Sequence, residues 1–153
     1  TDDKTLATFD DKIYANGGND ILIGGDGYDT YYISRDGGDN FIFDGNTNTG
    51  GYSNGLVFFE GFENNDNVTI DYEDGNGADN GVGTGDVSFV NNADGTWTIS
   101  FTSSEGSVTF AGHEISDINL QDNKEGGTGG ITKAYRFNDQ GTADFADDTY
   151  DLQ

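Results

Sequence analysis

The sequence predicts an all-β fold with little helix. Three observations carry that expectation. Aspartates recur near the N-terminus at Asp11, Asp20, Asp29 and Asp39, spaced nine, nine and ten apart, each followed two positions later by an apolar side chain. Between residues 40 and 121, short runs rich in Val, Ile, Phe and Thr alternate apolar with polar residues, which is the period of a half-buried strand. No segment keeps a helical period for about 11 residues between capping residues.

Residues 1–45 form the periodic stretch. The apolar partners of its aspartates are Ile13, Leu22, Tyr31 and Phe41, and glycines crowd ahead of them, as in Ala15-Asn16-Gly17-Gly18-Asn19-Asp20-Ile21-Leu22-Ile23. Glycine permits the positive φ of a tight turn whose carbonyls point inward. Aspartate adds a hard anionic oxygen, and the tripeptide centred on the apolar residue makes a short strand with that residue facing inward. Two repeats depart from the pattern. The one at Asp11 has Thr8-Phe9-Asp10 where glycines are expected, and Asp36-Gly37-Gly38-Asp39-Asn40-Phe41 carries one extra residue.

The segment Gly24-Gly25-Asp26-Gly27-Tyr28-Asp29-Thr30-Tyr31-Tyr32 fits the nonapeptide G-G-x-G-x-D-x-U-x, a known calcium-binding β-helix repeat. It resembles the repeats-in-toxin family, also called haemolysin-type calcium-binding repeats. That resemblance implies a short parallel β-roll in which each nonapeptide is half a coil and alternate turns stack on one edge. Carried over, Asp11 would share an ion with Asp29 on one edge, and Asp20 one with Asp39 on the other. Stacked strands about 4.8 Å apart suit an ion with ligands at about 2.4 Å on either side. The ligand set implied is Asp11, Asn16, Gly18, Asp20, Gly25, Gly27, Asp29, Asp36, Gly38 and Asp39, holding two to four Ca²⁺ ions.

Residues 46–121 read as an antiparallel cap, a sheet or sandwich continuous with the roll. Leu56-Val57-Phe58-Phe59 and Val68-Thr69-Ile70 are strand-like. Val87-Ser88-Phe89-Val90, Thr96-Trp97-Thr98-Ile99-Ser100-Phe101 and Ser107-Val108-Thr109-Phe110 form a three-stranded meander with turns at Asn91-Asn92-Ala93-Asp94-Gly95 and Ser103-Ser104-Glu105-Gly106. Most of the core is expected there, with Trp97 inward beside Ile99 and Phe101. The stretch resembles the β-domain that follows such repeats in many secreted proteins, interrupted by an acidic, Gly-rich insertion at 71–85. That insertion, with Asp74 and Asp79, is either a solvated loop or an ion- or ligand-binding one, and it lacks EF-hand spacing.

Residues 122–130 read as a flexible linker. Residues 131–153 then give an edge strand at Ile131-Thr132-Lys133-Ala134-Tyr135-Arg136-Phe137 and an acidic C-terminal tail. The tail is either part of a secretion signal of the kind the resemblance implies, or a disordered remnant or the start of another module.

Composition narrows the function. The 153 residues carry 29 Asp/Glu against 6 Lys/Arg, for a net charge of −23. Leu, Ile, Val and Phe make up about a fifth of the chain, just above the range of strongly charged disordered chains. Such acidity argues against nucleic acid or anionic membrane as partners, and no apolar run reaches the roughly 20 residues of a membrane span. Without cysteine there is no disulfide framework, thiolate nucleophile or cysteine-based zinc site. Thr1 in place of Met suggests a segment of a longer parent, whose other domains are then partners. Catalysis is not expected: His113 is the single histidine, and neither G-x-S-x-G nor H-E-x-x-H occurs.

Two functions follow. The first, implied by the resemblance, is a calcium-binding module of a large secreted or cell-surface bacterial protein, monomeric, unfolded at cytosolic Ca²⁺ for type I export and folded by Ca²⁺ outside. The second is a Ca²⁺-dependent ligand-binding module of an adhesin or carbohydrate-active enzyme. It would take a neutral glycan or peptide through Tyr28, Tyr52 and Tyr72, with Asp74 and Asp79 nearby.

Overall fold

In the N-terminal part of the chain, short strands start where an aspartate or asparagine stands two residues before an apolar side chain. In the computed structural model these strands are β1 (Lys12–Ala15), β2 (Ile21–Leu22), β3 (Thr30–Ser34), β4 (Asp39–Ile42) and β5 (Asn54–Phe59). The structure describes residues 10–25, 27–35, 37–44, 54–59, 62, 66–72, 86–101, 106–121 and 130–153, with Val57, Phe59, Asp71 and Tyr72 by backbone alone. The remaining strands are β6 (Val68–Tyr72), β7 (Val87–Asn91), β8 (Thr96–Phe101), β9 (Ser107–Ala111), β10 (Ile115–Gln121), β11 (Ile131–Asn138) and β12 (Thr149–Leu152). Two single-turn 3₁₀ helices, Gly112–Glu114 and Phe145–Asp147, are the helical elements among the described residues. The fold is all-β.

The first four strands alternate between two six-stranded sheets, ordered β1-β3-β5-β10-β11-β12 and β2-β4-β9-β8-β7-β6. Pairing is parallel from β1 through β3 and β5 to β10, and from β2 through β4 to β9. The meander β7-β8-β9 is antiparallel, as expected. The cap is not purely antiparallel: β5 joins the N-terminal strands in parallel, and β6 pairs parallel with β7. A single buried core lies between the sheets. One sheet contributes Tyr31, Ile33, Leu56, Phe58, Ile118 and Leu120, the other Leu22, Ile42, Phe89, Trp97, Ile99 and Phe110. Trp97 is 1% exposed, in the core as its alternation predicts.

Three expectations change. Phe41 faces outward, 46% exposed, stacked on Phe43 with ring centroids 6.2 Å apart, while Ile42 is buried. The extra residue in the last repeat, that of Asp39, shifts the inward set by one position, and a one-residue slip reverses a strand's faces. Residues 131–137 are not at the edge, because β12 pairs antiparallel with β11 on its far side. Nor is the acidic C-terminus a tail. Tyr150 of β12 is 1% exposed and sits in an aromatic cluster, 4.9 Å from Trp97 and 5.3 Å from Phe137 between centroids. Its hydroxyl donates to the carbonyl of Ile115 at 2.6 Å. The linker expected at 122–130 lies outside the described residues except for exposed Gly130.

Candidate metal site

The turn that precedes β3 and the single turn that follows β9 lie at one edge of the sandwich. There Asp11, Asp29 and Asn54 stand in register, because Lys12 lies opposite Thr30 and Thr30 opposite Gly55. Their side chains form a ladder along the stack. The Asp11 N–H donates to Asp29 Oδ1 at 2.9 Å, and the Asp29 N–H donates to Asn54 Oδ1 at 2.8 Å. Asn54 Nδ2 then donates to the carbonyl of Glu114 at 3.1 Å. Each acceptor thus satisfies an N–H of the neighbouring coil that would otherwise be orphaned, which explains the aspartate and the asparagine at the starts of β3 and β5.

The ladder uses only one oxygen of Asp29. The residue is wholly buried, and its Oδ2 has no hydrogen-bond partner. Tyr31, inward-facing like Asp29, donates its hydroxyl to Asp44 Oδ2. Asp44 is 3% exposed, and its N–H donates to Glu114 Oε2 at 3.3 Å. Gly24 roofs the group: a Cβ there would overlap both Asp29 Oδ2 and the Tyr31 hydroxyl. Burial pushes the Asp29 carboxyl up to about 6; the Asp11 N–H opposes, while the Asp44 and Asp11 charges and a hydrogen bond shared with the Asp44 carboxyl add to the rise. Burial and the Asp44 carboxylate raise the Tyr31 phenol far above its ordinary value, so it stays a donor. Two carboxylates meet here in the interior. Holding both here requires something positive between them, a shared proton that leaves the pair singly charged or a hard cation.

The opposite edge carries a second ladder with a different register. Ile21 lies opposite Phe41, so the partner of Asp20 is Asn40 rather than Asp39. The Asp20 N–H donates to Asn40 Oδ1, and the Asp39 N–H to Asn19 Oδ1, both at 2.9 Å. The inserted residue again causes the shift. Asp39 is exposed and accepts a bond from the Ser107 hydroxyl at 2.8 Å. Asn40 is 1% exposed, and its Nδ2 lacks a partner. A Cβ on Gly38, at φ +84°, would overlap the carbonyl of Gly18, so these two glycines stack. This edge holds an amide where the first holds a carboxylate.

Other expected ligands fall as follows. Gly25 (φ +94°) and Gly27 (φ +127°) occupy the turn leading into Asp29, and Asn16 is exposed beyond β1. Tyr28 is 37% exposed, and its hydroxyl donates to Asp117 at 3.4 Å. Burial and the Asp117 charge raise its phenol. Asp36, Tyr52, Asp74 and Asp79 lie outside the described residues, as does the side chain of Tyr72. His113 is exposed. Tyr31, Asp44, Asn54 and Glu114 join the site without having been expected there. Asn54-Gly55-Leu56 repeats the aspartate-or-asparagine, x, apolar triplet and was legible; Asp44 and Glu114 reach the edge only through the fold.

Among the described residues no three acidic or imidazole side chains converge on one point. An ion at either edge would therefore draw most of its six to eight oxygens from main-chain carbonyls and water. Compared with known proteins, the chain stands on this geometry alone: no family model, no curated protein and no solved structure matches it.

Proposed function

We propose that the chain is a calcium-dependent folding module of the repeats-in-toxin kind, its N-terminal coils a short parallel β-roll. The observation that carries this is Asp29 Oδ2: a fully buried carboxylate oxygen with no donor, beside buried Asp44. It begins a strand whose preceding turn bears the glycine pattern of the repeat. Asp29 would supply the anionic ligand, with turn carbonyls before it completing the shell; a bound Ca²⁺ supplies the positive charge that this edge lacks. Asp11 and Asn54 position Asp29 through the ladder, Gly24 leaves the space, and Tyr31 holds Asp44.

Coupling to folding follows from charge. At submicromolar Ca²⁺ the buried carboxylates oppose the folded state, and the acid-rich chain gains little from its modest apolar content. At millimolar Ca²⁺, typical of extracellular fluids, ion binding becomes folding free energy. Such a chain suits export unfolded and folding outside the cell, as a binding and structural module rather than an enzyme. The ligand-binding alternative has no comparable support: Tyr28 is engaged with Asp117, and nothing is described of the other four side chains. Far-UV circular dichroism and hydrodynamic radius, compared in EDTA and in millimolar Ca²⁺, test the proposal. Ordering and compaction on adding Ca²⁺, with Mg²⁺ far less effective, are expected; identical spectra and radii would overturn it.

A further inference from the structure

The outer face of the second sheet carries an apolar trough. Phe41 on β4 lies opposite Thr109 on β9, and Thr96 on β8 lies opposite Ala111. Ile42, Trp97 and Phe110 alternate with them and are buried, so Phe41, Thr96, Thr109 and Ala111 point away from the core. The stacked rings of Phe41 and Phe43 stand beside these smaller side chains and leave a pocket of about 190 Å³. A cavity of about 150 Å³ holds a benzene ring, so one ring or a branched alkyl group fits here. Ile21, opposite Phe41, extends the apolar surface and is 67% exposed. Apolar side chains scattered singly need no explanation, but a contiguous patch around a pocket marks a binding surface.

Charge says what the patch takes. The one charged residue lining the pocket is Glu114, just past the end of β9, whose Oε2 accepts the Asp44 N–H at 3.3 Å. Among the described residues the lysines and arginines are Lys12, Arg35, Lys133 and Arg136, and all stand on or directly after strands of the first sheet. Arg35 and Arg136 face Asp66 and Asp117 at 3.7 and 3.0 Å, and Lys133 Nζ donates to the carbonyl of Asp66. The strands of the second sheet carry no basic residue. His113 precedes Glu114 but does not line the pocket. The trough therefore joins two exposed aromatic rings to one carboxylate, on a face without cations.

We infer that this pocket binds a small organic cation with an apolar body, of the arylalkylammonium class. The body lies over Thr109 and Ala111 beside Phe41 and Phe43, and the ammonium meets the aromatic rings and the Glu114 carboxylate. Aromatic faces attract such cations, more strongly where water is partly excluded. The carboxylate and the net charge of −23 reject an anion of the same shape. A neutral apolar ligand would fill the space but gain nothing from Glu114. A second copy of the chain is disfavoured, because it brings the same negative charge to the contact.

The test titrates phenethylammonium into the full chain in millimolar Ca²⁺ at neutral pH, followed by amide NMR. Phenylethanol and phenylacetate, its neutral and anionic counterparts, are titrated alongside. Saturable shifts centred on Phe43, Thr109 and Ala111 are expected for the cation, with the alcohol at least about threefold weaker and the anion without effect. Phe43→Ala and Glu114→Gln should each weaken the cation by about threefold or more. The Gln variant keeps an oxygen for the Asp44 N–H, and the exposed Phe43→Ala change covers the case in which Glu114→Gln fails to fold. Equal binding of the alcohol would overturn the inference and leave a plain apolar pocket. Shifts spread over the acidic surface and unchanged in both variants would also overturn it, as diffuse attraction. A dimer seen by sedimentation and lost in Phe43→Ala, with no cation bound, would assign the face to a second copy instead. The calcium proposal stands or falls separately, since the response of folding to Ca²⁺ is read without any organic cation.

Discussion

Replacing Asp29 with Asn separates a structural carboxylate from a metal-binding one. The variant keeps an Oδ1 to accept the Asp11 N–H, so the ladder survives, and it gains an Nδ2 that can donate to Asp44. In the calcium-free fold, Asp29 is pushed from 3.8 to about 6. That rise corresponds to at most about 3 kcal/mol of destabilisation at neutral pH. The sign follows from linkage: the folded state holds the proton more tightly than the unfolded chain. Asp29 therefore costs nothing below its unfolded value of 3.8, and its penalty grows as pH rises to about 6 and is complete above that. In EDTA at neutral pH, Asp29→Asn should accordingly be the more stable protein, by up to about 6–10 °C in Tm for a chain of this size. Its advantage should vanish near pH 4. In millimolar Ca²⁺ the order should reverse, because the variant lacks the anionic ligand. Calorimetric melts of both proteins across pH, with and without Ca²⁺, read all of this. A variant destabilised equally in EDTA and in Ca²⁺ would refute the reasoning and reduce Asp29 to a hydrogen-bonding residue.

Four further outcomes are expected. Gly24→Ala, whose methyl overlaps Asp29 Oδ2 and the Tyr31 hydroxyl, should cost about 1–3 kcal/mol in denaturant melts and weaken Ca²⁺ binding. Asn40→Asp places a carboxylate opposite Asp20 on the second edge; it should destabilise the protein in EDTA by about 2 kcal/mol or more and add one Ca²⁺ by isothermal titration. By contrast, exposed Asp39→Asn should leave stoichiometry unchanged. Tyr150→Phe removes the bonds to the Ile115 and Gly112 carbonyls and should cost about 1–2 kcal/mol, seen as a lower urea midpoint, with the Trp97 emission maximum little moved.

Much of the architecture was legible because period-2 alternation marks strands locally. The meander from Val87 to Phe110 and the burial of Trp97, Ile99 and Phe101 follow directly from it. Local pattern fails where one residue changes a face. The insertion near Asp36 moved the inward position from Phe41 to Ile42, and with it the partner of Asp20 from Asp39 to Asn40. An apolar residue on either side of the slip leaves composition silent, and Asp39-Asn40-Phe41 and Asn40-Phe41-Ile42 both fit the aspartate-or-asparagine, x, apolar triplet, so the pairing of Ile21 with Phe41 alone decides the register. Sequence alone makes the C-terminus a tail because its apolar residues are isolated. Tyr150 is buried by long-range partners, Trp97, Phe110 and Phe137, that no local window contains. Asp44 and Glu114 reached the candidate site the same way, 70 residues apart in the chain and joined by one hydrogen bond.

Anomalous scattering from crystals grown in millimolar Ca²⁺ tests the central claim most directly, because it shows what neutralises Asp29. A Ca²⁺ peak about 2.4 Å from Asp29 Oδ2, with turn carbonyls completing the shell, is the result expected. No peak beside Asp29 Oδ2 would contradict it, and would make the Asp29–Asp44 contact a proton-sharing carboxyl pair instead.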